Sequence, residues 1–417
     1  MGRRRAHRDD RPCRRKFSRQ LRLGQVRVTM EVISLGCRLN LSEGERIRAV
    51  LAEARDTVVV NSCAVTAEAV RHTRQAIRRA RRARPDARLL VTGCAAEVER
   101  AMLAAMPEVD GIVSNAAKLD PRAWNAPVAP RPAERAHTRA FVAVQNGCDH
   151  ACTFCIIPQG RGPARSLPIS GALREVETVI AAGVREVVLT GVDLTSWGHD
   201  LPGRPRLGDL VSAILCAFPE LPRLRLSSVD VVEIDPLLED LIGGEARVMP
   251  HLHLSLQHGS DLILKRMKRR HLRADAMALA TRLKARRPDI ALGADLIAGF
   301  PTETAAHHAE NLSIVRDLGI VHGHVFPYSP RPGTPAARMP QVDPLTIRRR
   351  ASELRAAVRD TRANWLRTQL GQPAAVLCEA DGTGHAPNFA RVRLPANTRR
   401  GDIVTMIPDR IEEGLLA

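Results

Sequence analysis

From Met30 onward the apolar positions fall into two alternating rhythms. "MEVISLGC", "TVVVNSC" and "RLLVTGC" are short, β-branched runs, each followed by a small residue and a cysteine. Between them, "SEGERIRAVLAEA" and "AEAVRHTRQAIRRARRA" carry apolar residues at helical spacing. Strand-length runs alternating with amphipathic helix-length stretches predict βα units and a parallel sheet. With "DGIVSN" as a fourth strand, residues 30–118 are expected to form a small doubly wound α/β domain. Residues 119–138, rich in Pro and Ala, read as a linker. The strand–helix rhythm then restarts. "AFVAVQN", "EVVLTG", "RLRLSS", "HLHLSL", "IALGADLIAG" and "VHGHVFP" are the strands, with stretches such as "SGALREVETVIAAG" between them. Repeats of this kind joined by right-handed crossovers predict an open, partial (βα)6 barrel. "YSPRPGTPAARMP" closes it with turn chemistry, and a long helix trails it, so the unit spans 139–370. From 371 to 417, "AAVLCEA", "ARVRLP" and "DIVTMI" predict a small β domain of a kind used for RNA.

Residues 1–29 break the pattern. This arm has no apolar periodicity and is expected to be disordered. A misassigned start is the favoured reading, with an RNA-binding tail or a targeting peptide as alternatives. Residues 1–30 hold eleven Arg or Lys and two Asp, and so supply nine of the eighteen net positive charges. An excess of Arg fits a GC-rich genome as well as a polyanionic partner, which basic groups bind by releasing counterions. No apolar run approaches the roughly 20 residues that span a bilayer. Nothing at the N-terminus resembles a secretory signal, so the expectation is a soluble, cytoplasmic protein without a membrane partner. Nine cysteines, an odd number in a large cytosolic chain, argue for metal binding over a disulfide framework.

Six of those cysteines form two triplets. Cys37, Cys63 and Cys94 each follow a predicted strand, at separations of 26 and 31 residues that fit one βα unit each. The carboxyl ends of parallel strands share one sheet edge, so the three thiols are expected to converge there. Cys148, Cys152 and Cys155 are spaced C-x3-C-x2-C in the loop after the first barrel strand. Structural zinc sites close with four ligands, often on paired CxxC knuckles. Asp149 and His150 lie inside this loop, but its spacing suits a 4Fe–4S cluster held by three irons with the fourth left open. A fourth thiolate would fill the position at which a small co-substrate binds.

C-x3-C-x2-C with an aromatic residue, Phe154, before the last cysteine resembles the signature of the radical S-adenosylmethionine (SAM) superfamily. The resemblance implies a barrel cluster whose open iron chelates the amino and carboxylate groups of SAM. An electron from that cluster cleaves the sulfonium and releases a 5′-deoxyadenosyl radical. A three-cysteine α/β domain, then such a barrel, then a small β module is similar to the methylthiotransferases. That family implies a flavodoxin-like first domain, a TRAM-like last one, and a second 4Fe–4S cluster on Cys37, Cys63 and Cys94 that delivers a methylthio group. It implies a tRNA substrate, an electron donor such as flavodoxin or ferredoxin, and a sulfur donor. "GCRLN", "NSCAVTAEA", "HLHLSLQHGSDLILKRMKRR" and "HVFPYSPRPGTPAARMP" most resemble the subfamily acting at carbon 2 of N6-threonylcarbamoyladenosine beside the anticodon. The same chemistry on isopentenyladenosine, or on an aspartate of a ribosomal protein, is the alternative. A non-catalytic, zinc-containing RNA-binding protein is the alternative from another class.

Further candidates sit at strand ends. Gly191, Val192 and Asp193 match the superfamily's contact with the methionyl amine. Ser228 and Gln257 could bond the ribose or carboxylate of SAM, and Gly299 could let backbone approach adenine. His251 and His253 alternate on one strand face and read as inward, hydrogen-bonded histidines. Cys216 and Cys378 read as packing, and Cys13 as incidental. Arg71, Arg74, Arg78, Arg81 and Arg82 share one helical side, read as a solvated face or as a contact for tRNA phosphates. Aromatic residues make up 3% of the chain, too few for extensive base stacking.

Overall fold

The computed structural model of the chain describes residues 30–126 and 138–417. The basic arm and most of the expected linker lie outside these residues. The first layer runs β1 (Glu31–Ser34), α1 (Arg38–Val50), β2 (Thr57–Ser62), α2 (Ala67–Ala83), β3 (Arg88–Gly93), α3 (Cys94–Val98), α4 (Arg100–Ala104), β4 (Gly111–Ile112). Its four strands are parallel and ordered β1-β2-β3-β4, with Val32 opposite Val59 and Val59 opposite Leu90. Helices cover both faces, as a doubly wound domain requires, but strand order follows chain order without a reversal.

Residue alternation explains the two-sided core. Val58, Val60, Leu89 and Val91 face α2 through Val70, Ile77 and Ala80. Val32, Val59 and Leu90 face α1 through Ile47 and Val50, with Trp124 beside them. Every residue of β2 is buried, hence its unbroken apolar run. Thr66 caps α2 by accepting from the Ala69 amide at 3.0 Å, and the helix stops at Ala83, just before Arg84-Pro85.

The second unit begins with β5 (Ala140–Ala143). The cysteine loop is then framed by β6 (Gln145–Asn146), α5 (Ile157–Arg161) and β7 (Arg165–Ser166), where β6 and β7 pair antiparallel. There follow α6 (Ile169–Ala181), β8 (Glu186–Thr190), α7 (Leu207–Ala217), β9 (Arg223–Leu226), β10 (Ser228–Val229), α8 (Pro236–Gly244) and β11 (His251–Gln257). The last turns are α9 (Asp261–Arg266), α10 (Arg273–Arg286), β12 (Ala291–Ala298), α11 (Ala305–Leu318), β13 (Ile320–Pro327) and the long α12 (Pro344–Arg367). Parallel sheets β5-β8-β9 and β10-β11-β12-β13 make the wall of an open barrel, bridged where Leu224 meets Val248. Along β11, Leu252, Leu254 and Leu256 pack outward on the helices, so His251, His253 and Gln257 are turned to the lumen.

The C-terminal region is a six-stranded sheet built from β14 (Ala374–Cys378), β15 (Thr383–His385), β16 (Arg391–Arg393), β17 (Ile403–Met406), β18 (Ile411–Glu412) and β19 (Leu415–Leu416). Val376, Cys378, Val392 and Leu416 form its own core with Leu366 of α12. This sheet also floors the barrel. Arg223 donates to the carbonyls of Ala375 and His385, the latter at 3.2 Å, and Arg225 to that of Pro387 at 3.1 Å. Phe389, in left-handed backbone at φ +70°, puts its ring 4.8 Å from that of His251. Among the described residues, no helix is long and apolar enough to cross a membrane.

Candidate metal centres

Each cysteine of the first triplet leaves the end of its strand. Cys37 precedes α1, Cys63 follows β2, and Cys94 opens α3 after β3. Two glycines make the convergence fit. Gly36, at φ +91°, would put a Cβ 2.7 Å from Cys63 Sγ, and Gly93, at φ +93°, would put one 2.5 Å from the Ser62 carbonyl. Asn40 locks this edge by donating to the carbonyls of Leu35 at 2.7 Å and Ser62 at 2.9 Å. Cys37 is exposed, whereas Cys63 and Cys94 are buried. Burial pushes the Cys63 thiol up to about 11, with Cys37 and Cys94 close enough to add to the rise. Cys94 is pushed up by burial as well.

The second triplet lies on the barrel rim. The Cys148 amide donates to the Gly162 carbonyl at 3.2 Å, and Thr153 is clamped between the Met267 and Arg266 carbonyls, at 3.1 and 2.8 Å. Phe154 meets Phe300 edge to face at 6.4 Å, in an apolar cluster with Tyr328. Its ring thus anchors the loop. Burial pushes Cys148 up to about 12 and Cys155 up to about 11. Arg269 donates to Cys152 Sγ at 3.6 Å and also holds Asp230. Buried thiols of this kind become thiolates only beside compensating cations. Arg161 behind the first set and Arg269 behind the second complete donor sets that fit iron–sulfur clusters.

His150, whose ligand atom lies within 4.8 Å of those of Cys148 and Asp193, is engaged by carboxylates. Its Nε2 lies 2.6 Å from Asp193 Oδ2 and 3.8 Å from Glu233 Oε2. Arg270 approaches the same nitrogen at 2.8 Å. A single nitrogen cannot donate to Asp193 and accept from Arg270, and two carboxylates outweigh one guanidinium. The hydrogen bond to Asp193, then that to Glu233, pushes the imidazole up to about 10.

The two rims meet directly. A Cβ on Gly160 of α5 would lie 3.2 Å from Cys94 Cβ, so the loop seats closely against α3. Beneath this contact Arg161 donates to Glu43 Oε1 and Oε2 at 3.0 and 3.1 Å and to Asn40 Oδ1 at 2.6 Å. Lys118 approaches Glu43 at 2.5 Å. Burial pushes Glu43 up, but Lys118 and Arg161 outweigh it and leave the carboxyl below its ordinary value.

Residues 142–313 match the radical SAM superfamily, and residues 29–114 match the uncharacterized protein family UPF0004. The chain is 41% identical to the threonylcarbamoyladenosine tRNA methylthiotransferase MtaB of Rickettsia prowazekii, over 93% of this chain and 97% of that one. The chain belongs to the radical SAM tRNA methylthiotransferase family. It is also 34% identical to a tRNA-2-methylthio-N(6)-dimethylallyladenosine synthase of Novosphingobium aromaticivorans, over 93% and 95% of the two chains. Its fold is similar to that of the radical SAM methyltransferase TsrM of Kitasatospora setae, solved with cobalamin and a 4Fe–4S cluster. The TM-score is 0.52 at 15% identity, covering 75% of this chain and 77% of that one. Family membership brings with it a 4Fe–4S cluster and SAM.

In this methylthiotransferase the other rim residues divide. The amides of Val192 and Asp193 both donate to Gln145 Oε1 at 2.9 Å, and a Cβ on Gly191 would meet that same oxygen at 2.9 Å. Asp193 spends its carboxylate on His150 and on Ser196, at 2.6 Å each. Ser228 and Gln257 are half-buried, and no side-chain hydrogen bond engages either among the described residues. Gln257 sits at a register shift in left-handed backbone, φ +68°. Beside Gly299, at φ +73°, Ile347 of α12 lies 2.5 Å from where a Cβ would be. Cys216 is exposed and does not pack, whereas Cys378 does. His253 is hydrogen-bonded as expected, to Asp295 at 3.1 Å, but neither nitrogen of His251 has a partner. On α2, Arg71 pairs with Glu68, Arg78 with Glu108 and Arg81 with Asp110, and Arg71 and Arg78 remain largely exposed, in keeping with a solvated face. Gln145, Glu43, Arg161, Arg269 and Phe389 were not singled out from the sequence. Gln145 alone gave a local signal, a polar residue closing the apolar run "AFVAV".

Proposed function

We propose that the chain inserts a methylthio group at carbon 2 of N6-threonylcarbamoyladenosine beside the anticodon of tRNA. Cys148, Cys152 and Cys155 would hold one 4Fe–4S cluster, and Cys37, Cys63 and Cys94 a second. The observation that carries this reading is the seating of Gly160 on Cys94, which sets the loop of the second cysteine triplet against the helix that opens with a cysteine of the first. When bound, the barrel cluster supplies the electron that cleaves SAM. The protein's own part is placement. Phe154 fixes the loop, Arg269 offsets charge at Cys152, and Asp193 with His150 braces the Cys148 side. Ser228 and Gln257, with free polar ends on the rim, would bond SAM, and the Gly191–Asp193 turn and Gly299 would line its pocket. One SAM would donate methyl and another would make the radical. A flavodoxin or ferredoxin would supply electrons, and a separate donor the sulfur.

The names of the relatives at 41% and 32% identity support the threonylcarbamoyl substrate. Isopentenyladenosine is the second reading, favoured by relatives at 34% identity named for that nucleoside. Mass spectrometry of tRNA nucleosides from a strain lacking the gene tests both. Methylthio-threonylcarbamoyladenosine should vanish and return with the intact gene, but not with C63A or C148A. Loss of the isopentenyl derivative alone would move the assignment to the second reading. Anaerobically purified protein should carry about eight iron per chain, and each Cys→Ala variant about half of that.

A further inference from the structure

A cavity of about 250 Å³ lies in the barrel, lined by Arg38, His251, His253, His322, His324, Arg362 and Phe389, with three further residues of β13 and α12. It is large enough for a polar substituent of a nucleoside. Its histidines come from β11 and β13, and Arg38 of its wall follows Cys37 directly, so the first cysteine triplet adjoins that wall.

The charges there do not balance. Glu186 is taken by Arg225 at 2.9 Å and by Arg223 at 3.5 Å. Asp295 is taken by His253 and His324, at 3.1 Å each. Among the described residues no carboxylate pairs with Arg38 or Arg362. Arg38 stacks over the Phe389 ring at 5.6 Å, and Arg362 approaches His322 Nδ1 at 2.8 Å. Both ring nitrogens of His251, which is 3% exposed, and Nε2 of His322 have no partner. Two unpaired guanidiniums beside unpartnered buried ring nitrogens call for an anion able to accept several hydrogen bonds. His253, Asp295 and His324 could also be read as a cation site, since their ligand atoms lie within 4.8 Å of one another. The surplus positive charge around them, and the use of His253 Nε2 on Asp295, decide against it.

We propose that this cavity receives the carboxylate-bearing substituent of the substrate nucleoside, with Arg38 and Arg362 pairing to the carboxylate and His251 and His322 bonding its polar flank. The inference rests on the threonylcarbamoyl reading above and deepens it. It makes charge in the lumen the device that separates an acidic adenosine substituent from an apolar one.

The test uses the full enzyme, reconstituted anaerobically to full iron content. Three anticodon stem-loop RNAs are compared, carrying threonylcarbamoyladenosine, its carboxamide analogue, or isopentenyladenosine. For the wild type, kcat/KM should favour acid over amide by at least about 50-fold, with much of the difference in KM. R38Q and R362Q should shrink that ratio below about 5, whatever their absolute rates, and R362K should keep part of it. Equal turnover of acid and amide by the wild type would overturn the cavity assignment and leave the substrate reading intact. An unchanged ratio in both Gln variants would overturn it as well, as would stoichiometric zinc bound by the wild type and lost from H324A. Turnover of the isopentenyl RNA alone would instead remove the substrate reading.

Discussion

Arg161 grips both carboxylate oxygens of Glu43, at 3.0 and 3.1 Å, and so ties the turn after Cys155 to the helix after Cys37. Both side chains are at most 2% exposed, and Lys118 closes on the same carboxylate. One anion faces two cations in a buried site, where removing a partner leaves uncompensated charge. R161M and E43Q should each lower stability by roughly 3–5 kcal/mol, and the double variant by less than the sum. Thermal unfolding of the three variants against wild type checks this. E43Q should be the worse single change, because it leaves two buried cations facing each other.

The glycine beneath Cys63 gives a second expectation. At Gly36 a methyl group would fall 2.7 Å from Cys63 Sγ, and φ of +91° is costly for any other residue. G36A should therefore retain the barrel's iron and lose that of the first triplet, about half the total. Iron analysis, alongside retained 5′-deoxyadenosine formation and lost methylthiolation, reads it out.

Glu186 makes stability depend on pH. Burial raises its carboxyl, but Arg225, Arg139 and Arg223 outweigh this and hold it at about 2, against 4.5 unperturbed. A depressed carboxyl stabilises fully above the unfolded-state value and loses that contribution as pH falls through the folded-state one. Between about pH 4.5 and 2 the wild type should lose about 3 kcal/mol that E186Q does not lose. Urea unfolding of both proteins at a series of pH values gives the difference. At neutral pH E186Q should be the less stable, because Arg225 is then left unpaired.

Phe389 joins strain to packing. Its ring also lies 4.5 Å from that of His385, with Arg225 over its face at 4.9 Å. F389A should cost roughly 3–5 kcal/mol. F389G removes the same ring but relieves the left-handed backbone, so it should be the milder change by about 1 kcal/mol. A Tm for F389G equal to or below that of F389A would contradict this account.

What the sequence disclosed and what it hid have one physical cause, the reach of local pattern. Strand-end cysteines are legible because strand, small residue and cysteine are contiguous, and βα alternation fixes the shared edge. The C-x3-C-x2-C loop is legible for the same reason. Glu43 and Arg161 stand 118 positions apart, and nothing near either marks the other. The arginines of α2 show a common side, but not that loop carboxylates at Glu108 and Asp110 already hold two of them. Nothing near Gly299 announces that Ile347, on α12 far along the chain, packs against it. Four strands of the last sheet, β15, β16, β18 and β19, have two or three residues each, and of these only β16 lies in a longer alternating run, "ARVRLP".

The floor of the barrel has a bearing on biosynthesis. Arg223 and Arg225 are made well before the carbonyls of Ala375, His385 and Pro387 that accept their hydrogen bonds. On the ribosome the barrel wall can assemble while its base stays wet and charged. A chain cut short before its final sheet would keep all six cysteines of the two triplets and still be left with an unsealed, water-filled barrel.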